Sequence, residues 1–215
     1  MILFTSYYRN ERQGELEFCL KRNCENPYIE EIILFAEDLP SFEDPKISIH
    51  RITKRPTYSD FFQEMSLFDG IKILSNSDIF FDESIQLAEK ITERQAYCLT
   101  RHEYPDKRFE SNNNAPSFWS QDCWFFRKTP VNIPNTVLAV KNQIYDRIPF
   151  SLGVPGNDNH IAFLLKSQFK LINPYPQIKA VHVHKEESRN YSIPWRITGN
   201  RSRWGQLQKV IPSKI

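Results

Sequence analysis

The chain has 215 residues, enough for one large domain or two small ones, and at that length about 70% of the unfolded surface is buried on folding without a disulfide or metal to hold the core. Apolar residues make up 40% and charged residues 25%, which excludes a disordered or fibrous chain. With 28 Lys and Arg against 26 Asp and Glu the net charge is +2, so there is no general pull toward nucleic acid or membrane, and no apolar run nears the ~18–20 residues of a membrane span.

The N-terminal half alternates strand and helix. Residues 2–5 form a short apolar, β-prone run with no basic stretch before it, so no leader peptide is expected. Over 11–22, Leu16, Cys19 and Leu20 recur at helical spacing, and Asn26-Pro27 ends that helix. Residues 31–36 are apolar on both faces, as in a buried parallel strand, and 47–52 alternate as a third strand. Phe61, Phe62, Met65 and Phe68 predict a helix over 59–68 with Ser59 as its N-cap. A strand at 71–74, a helix at 84–91 and a strand at 96–100 follow.

That order argues an α/β fold with a mostly parallel sheet flanked by helices. Ligands in such sheets bind at the carboxyl ends of the strands, so the loops after Thr5, Ala36, Leu74 and Thr100 are where chemistry is expected. The second half is less regular. Residues 105–117 read as a loop, 122–127 as a strand, 157–169 as a helix and 178–184 as a last strand. The segment 185–215 carries 7 Lys and Arg against 2 Glu, including Lys185, Arg189, Arg196, Arg201 and Arg203. Such a cluster suits phosphate contacts or a solvated charged tail. The four cysteines, Cys19, Cys24, Cys98 and Cys123, have no C-x-x-C spacing and are expected as reduced thiols in a cytoplasmic protein.

Four places carry candidate chemistry. In 73–82 (ILSNSDIFFD) an apolar strand ends in Asn76 and Asp78, spaced like a D-x-D pair, where a hard divalent cation would find oxygen ligands. Asp82 reads as an N-cap of the next helix. In Val181-His-Val-His184 the two imidazoles fall on one face of a strand, as would suit a metal or a diphosphate. In 155–160 (PGNDNH), Asp158 is expected at a helix N-terminus, whose dipole would keep it ionised as a general base or an acceptor-binding group beside Asn159. Arg101, with Asp122 and Trp124 of SQDCW, offers charge for hydroxyls and a ring for the apolar face of a sugar.

Taken in order, TSYYR with Glu11, NSDIFFD, CLTRHE, SQDCWFF, PGNDNHIAF, NPYPQIKAVHVH and SRNY resemble the GT-A nucleotide-diphospho-sugar glycosyltransferases in their small bacterial and viral single-domain form. The resemblance implies a Rossmann-like GT-A domain over 1–215, with 1–104 as the nucleotide-sugar half, 105–184 as the acceptor and catalytic half, and 185–215 as a basic tail. It implies that Thr5, Ser6, Tyr7, Arg9, Glu37, Asn76 and Arg189 meet the nucleotide-sugar donor. Asp78, with His182 or His184, would bind Mn²⁺ or Mg²⁺; Asp158 would be the catalytic base if transfer inverts the anomeric centre, inversion and retention both being open; Arg101, Asp122, Trp124 and Asn159 would frame sugar or acceptor. The acceptor would be a glycan, a lipid-linked sugar or, less favoured by the low net charge, a hydroxymethylated base in DNA. Asn76 departs from the usual first Asp. A sugar-nucleotide nucleotidyltransferase is the alternative enzyme, but TSYYRNERQG has one glycine where that class has a glycine-rich loop. A non-catalytic nucleotide-sugar-binding module is the other alternative.

Overall fold

The computed structural model describes residues 1–104, 121–141, 144–154 and 157–184, with the backbone of 107–108, 196–197, 201–202 and 206–207. In chain order these form β1 (Ile2–Tyr7), α1 (Gln13–Glu25), β2 (Glu31–Ala36), β3 (Ile47–Arg51), α2 (Tyr58–Met65), β4 (Lys72–Ser75), β5 (Ile79–Phe81), a 3₁₀ helix (Glu83–Lys90), β6 (Gln95–Leu99), β7 (Arg101–Glu103), β8 (Lys107–Arg108), β9 (Cys123–Phe126), β10 (Thr136–Lys141), β11 (Ile144–Pro149), α3 (Asn157–Leu165), β12 (Lys170–Ile172) and β13 (Ala180–His182).

The fold is mixed α/β. Its main sheet has seven strands in the order β12-β6-β9-β4-β1-β2-β3. All pairs are parallel except those of β9, which runs antiparallel to both β4 and β6. Period-2 alternation sorts the strand residues onto two cores. Leu3 and Tyr7 of β1, Ile32 and Leu34 of β2 and Ile73 of β4 face Leu16 and Leu20 of α1 and Ile85 of the 3₁₀ helix. Phe4, Ile33, Phe35, Leu74 and Trp124 face Phe61, Phe62 and Met65 of α2 and Ile161 and Leu165 of α3. Burying each large apolar side chain contributes about 1.5–3 kcal/mol. A smaller sheet, β5-β13-β7-β8, lies beyond the carboxyl ends of β4 and β6. Among the described residues no helix is long and apolar enough to cross a membrane.

Local chemistry explains where the elements depart from the expectations. Helix α2 is capped by Thr57, not Ser59. Thr57 Oγ1 accepts from the Asp60 N–H at 3.2 Å, and Asp60 Oδ2 accepts from the Thr57 N–H at 2.7 Å, a reciprocal capping box two residues earlier. Residues 83–90 wind as a 3₁₀ helix, whose two buried side chains, Ile85 and Ala88, are three apart and so stack on one side. Asp82 caps that helix as expected, accepting from the Ser84 N–H at 2.9 Å. The last strand stops at His182, short of His184. Strand β5, strand β12 and the β10–β11 hairpin were not expected. The four cysteines are free thiols.

One buried network ties α1 to the end of β1. Glu17 is 9% exposed and accepts from Tyr7 Oη at 2.8 Å, Gln13 Nε2 at 3.0 Å and the Ser41 N–H at 2.9 Å, with a further bond from the Ser41 hydroxyl. Burial pushes its carboxyl up, but the bonds from Ser41, Gln13 and Tyr7 outweigh this and hold it at about 2. Glu17→Ala should cost about 1–3 kcal/mol, because buried donors lose their acceptor. The folded carboxyl lies below its unfolded value. Its contribution is therefore present above the ordinary carboxylate range and is lost as pH falls toward about 2. Urea unfolding at pH 7 and pH 3 checks this: the gap between wild type and variant should shrink at the lower pH.

Candidate functional site

The chain runs from β1 to β2 and β3 on one side and returns to place β4 on the other side of β1. Strand order therefore reverses between β1 and β4, and the loops leaving these two strands diverge to open a crevice. Ser6 of β1 and Ser77 after β4 meet across it, with their hydroxyl oxygens 3.2 Å apart. A cavity of about 600 Å³ opens there. It is lined by Ser6, Tyr8, Asn10 and Arg12 from β1 onward, Glu37 after β2, Arg55 after β3, and Asn76, Ser77 and Asp78 after β4. Leu16, Arg101, Asp122, Leu152, Gly153, Asp158, His182 and His184 complete the lining.

On one wall the small sheet assembles an acid–imidazole cluster. His182 of β13 is in register with Glu103 of β7 and Ile79 of β5, and Asp78 immediately precedes β5. His182 Nδ1 lies 2.8 Å from Glu103 Oε2, and its Nε2 lies 3.2 Å from Asp78 Oδ2. Arg12 Nη2 donates to the same Asp78 oxygen at 3.1 Å and to the Val183 carbonyl at 3.0 Å. Burial pushes Asp78 up, but His182 and Arg12 outweigh it and hold the carboxyl at about 2. Burial pulls His182 down, yet Asp78 and Glu103 lift it to about 9. His184 stacks on His182 with centroids 5.6 Å apart at 13°. The buried His184 Nδ1 has no hydrogen-bond partner among the described residues. Among those residues no three His, Cys, Asp or Glu side chains are grouped as a ready metal site.

On the opposite wall Asp158, in the first turn of α3, is gripped from below. Tyr58 Oη donates to Asp158 Oδ1 at 2.9 Å. The other carboxylate oxygen has no partner among the described residues. Contrary to the expectation of a helix dipole holding it ionised, Asp158 is pushed up to about 8. Burial is the main cause and the nearby charge of Asp122 adds to it; the Tyr58 bond, Arg101 and Arg55 pull the other way without prevailing. Asp122 is held by Arg101 Nη1 at 3.1 Å, and Arg101 Nε also grips Glu103 at 2.7 Å. The Arg55 guanidinium stands 5.9 Å over the Tyr8 ring. Gly153, at φ +67°, is a position where a side chain would be strained, and a Cβ there would lie in tight contact, 3.1 Å from Arg55 Nη2 and 3.3 Å from Asn76 Oδ1.

Of the residues singled out in the sequence, Ser6, Glu37, Asn76, Asp78, Arg101, Asp122, Asp158, His182 and His184 are brought to this one cavity. Others lie elsewhere. Thr5 is buried and bonds the Ser75 carbonyl at 3.0 Å. Tyr7 is buried on Glu17. Arg9 reaches the Leu39 carbonyl at 3.3 Å. Trp124 is 0% exposed, packed edge-on against Tyr58 at 5.6 Å, so its ring is a core element and offers no face to a sugar. Asn159 is exposed outside the cavity. Arg189, Lys185 and Arg203 and most of the loop 105–117 lie outside the described residues, as do the side chains of Arg196 and Arg201. Arg12, Arg55, Tyr58 and Gly153 were missed. Arg12 had a signal: a cation at a helix N-terminus opposes the dipole and must be held by other groups. Arg55 follows β3, and nothing in its local sequence sets it apart from a solvated surface cation.

No family model matches the sequence, and no curated protein matches it. Solved structures with a similar chain path include a mannosyltransferase, PcManGT from Pyrobaculum calidifontis, in complex with GDP-Man and Mn²⁺ (TM-score 0.47, 10% identity, covering 88% of this chain and 58% of that one). TarS from S. aureus is similar at a TM-score of 0.44 and 8% identity, over 77% of this chain and 39% of that one. A TarS structure of residues 1–349 is similar at 0.41 and 9%, over 87% and 58%. The chain thus spans only 39% to 58% of the length of these structures.

Proposed function

We propose that this protein is a glycosyltransferase that moves a sugar from a nucleotide-diphosphate sugar to a hydroxyl acceptor, working as one unit with the donor on the β1–β4 side and the acceptor toward α3. The observation that carries this reading is one cavity at the switch point of the sheet with two unlike walls. One has a buried acid–imidazole pair among arginines; the other has a carboxylate with one open oxygen. Arginines suit a diphosphate and an open carboxylate suits a hydroxyl.

In the transfer, the acceptor oxygen forms a bond to the anomeric carbon as the carbon–oxygen bond to the diphosphate breaks. The leaving nucleoside diphosphate keeps the electron pair. The acceptor proton passes to the open oxygen of Asp158. Arg55 and Arg12 line the space for the diphosphate, and Ser6, Tyr8 and Glu37 line that for the nucleoside.

Asp78 and His182 suit a divalent cation. Their Oδ2 and Nε2 converge to 3.2 Å, a carboxylate and an imidazole of the kinds such an ion takes, and binding there would displace the proton the two now share. Glu103 on the far imidazole nitrogen is the orienting partner that ligating histidines usually have. Mn²⁺ or Mg²⁺ held there would supply charge neutralisation to the leaving diphosphate. A glycan or lipid-linked sugar is the acceptor class this reading favours; a DNA acceptor would show activity falling steeply with salt.

Thermal shift against nucleoside diphosphates and nucleotide sugars, with and without Mn²⁺, tests the reading. A ligand at 100 times its Kd adds about 2.7 kcal/mol. A shift with one nucleotide, followed by release of free nucleoside diphosphate during turnover, is expected. Release of pyrophosphate would favour the nucleotidyltransferase alternative. No shift with any member of the panel would sink the assignment.

A further inference from the structure

We propose that Tyr58 is a positioning residue for the acceptor-side carboxylate: its buried hydroxyl fixes one oxygen of Asp158 so that the other is presented to the cavity. The proposal rests on the glycosyltransferase reading above and assigns a role within the same site.

The geometry is specific. Tyr58 is the first residue of α2 and fully buried. Its ring is locked by Trp124 at 5.6 Å, Phe150 at 4.8 Å and Phe62 at 6.3 Å. The capping box of Thr57 and Asp60 fixes the backbone that carries it. A side chain held on all sides can aim its one polar atom with little freedom, and that atom lies 2.9 Å from Asp158 Oδ1. Asp158 is on α3, 100 positions away in the chain, so the contact joins the two helices on that face of the sheet at the cavity floor. A carboxylate with both oxygens free would rotate. With one pinned, the other keeps a single direction, and misplacing a reacting group by about 1 Å can cost 10²-fold in rate.

Among the described residues, the charged and titratable groups that act most on Asp158 are Tyr58 on α2, Arg55 before α2, Asp122 before β9 and Arg101 on β7. Of these Tyr58 alone is bonded to the carboxylate, and its bond favours the ionised form. Losing it should move the ionisation of Asp158 upward from about 8.

Tyr58→Phe keeps the ring and its packing and removes only the hydroxyl. In the full chain, kcat should fall about 10- to 100-fold with KM for the donor unchanged. The acidic limb of the kcat/KM profile should move to higher pH. In an Asp158→Asn background the same substitution should have no further effect, whereas a merely structural role would lower activity in both backgrounds. Wild-type kcat and an unmoved profile in Tyr58→Phe would overturn the positioning role and leave the transferase reading standing. Absence of transfer by the wild-type protein with every donor would overturn both. Circular dichroism and the thermal midpoint establish that Tyr58→Phe is folded; if it is not, 3-fluorotyrosine incorporated at position 58, which keeps the ring and makes the hydroxyl a stronger donor, should move the acidic limb to lower pH, and an unmoved limb would overturn the positioning role.

Discussion

Asp158→Asn should lower turnover about 10²- to 10⁴-fold while leaving donor binding intact. The open oxygen of Asp158 is the group placed to take the acceptor proton, and an amide oxygen is far too weakly basic to replace it. Because burial and Asp122 push the carboxyl up to about 8, the wild-type enzyme should gain activity as pH rises through that value. The same substitution has an opposite effect on stability. In the unfolded chain an aspartate ionises near 3.9; in the folded protein it keeps its proton to about 8. Its stabilising contribution is thus fully present below about 4 and is lost progressively as pH rises toward 8. The asparagine variant lacks that loss, so its thermal midpoint should exceed wild type by a margin that grows over this window. A series of melting curves from pH 4 to 8, read beside single-turnover rates, checks both. Wild-type turnover in the variant would remove Asp158 from the mechanism, and parallel melting profiles would show that it is not buried as the fold has it.

What the sequence revealed of this site divides along a physical line. The parallel core was readable because β2 is apolar on both faces, a pattern that a covered strand tolerates. Residues at strand ends were readable because a polar cluster after an apolar run, as at Asn76 to Asp78, sits at a carboxyl edge. The direction of β9 was not readable, since a fully buried CWFF strand looks the same in either direction. Nor were β10 and β11: TVLAVK and IYDRIP are β-prone, but Pro130, Pro134 and Pro149 around them read as turns. Trp124 was misread for the same reason that β9 was partly read: an aromatic beside an aspartate suits both a sugar platform and a core, and here Asp122 lies just before β9, at the cavity, whereas Trp124 lies within the strand and packs beneath α2. The environment of Asp158 could not be inferred from its helix position, because its burial and the charge of Asp122 arise from segments distant in the chain and exceed the helix-end effect.

The second large effect is expected at Asp78. Asp78→Asn should abolish the enhancement of donor binding by Mn²⁺ and weaken donor affinity in its presence about 10- to 100-fold, the range seen when metal sites lose a supporting carboxylate. The asparagine is preferred to alanine on structural grounds. Asp78 is compensated by Arg12 at 3.1 Å and His182 at 3.2 Å, with side-chain exposure of only 17% for the acid. Deleting the side chain would leave two buried cations facing one another, a change that costs about 3–5 kcal/mol when a buried pair is broken. Alanine would therefore confound loss of binding with loss of fold, whereas the amide keeps the volume and one acceptor oxygen. Arg12→Gln supplies the complementary variant, because it leaves the acid and the imidazole in place and removes the guanidinium that shares the Asp78 oxygen. Calorimetric titration of a nucleoside diphosphate into both variants, with Mn²⁺ and with chelator, separates the contributions. If the acid and the imidazole hold a cation, Asp78→Asn loses the difference between the two conditions and Arg12→Gln keeps it. Equal affinities with Mn²⁺ and chelator in wild type, lost in Arg12→Gln, would instead place the charge that receives the diphosphate on the guanidinium and refute the metal assignment.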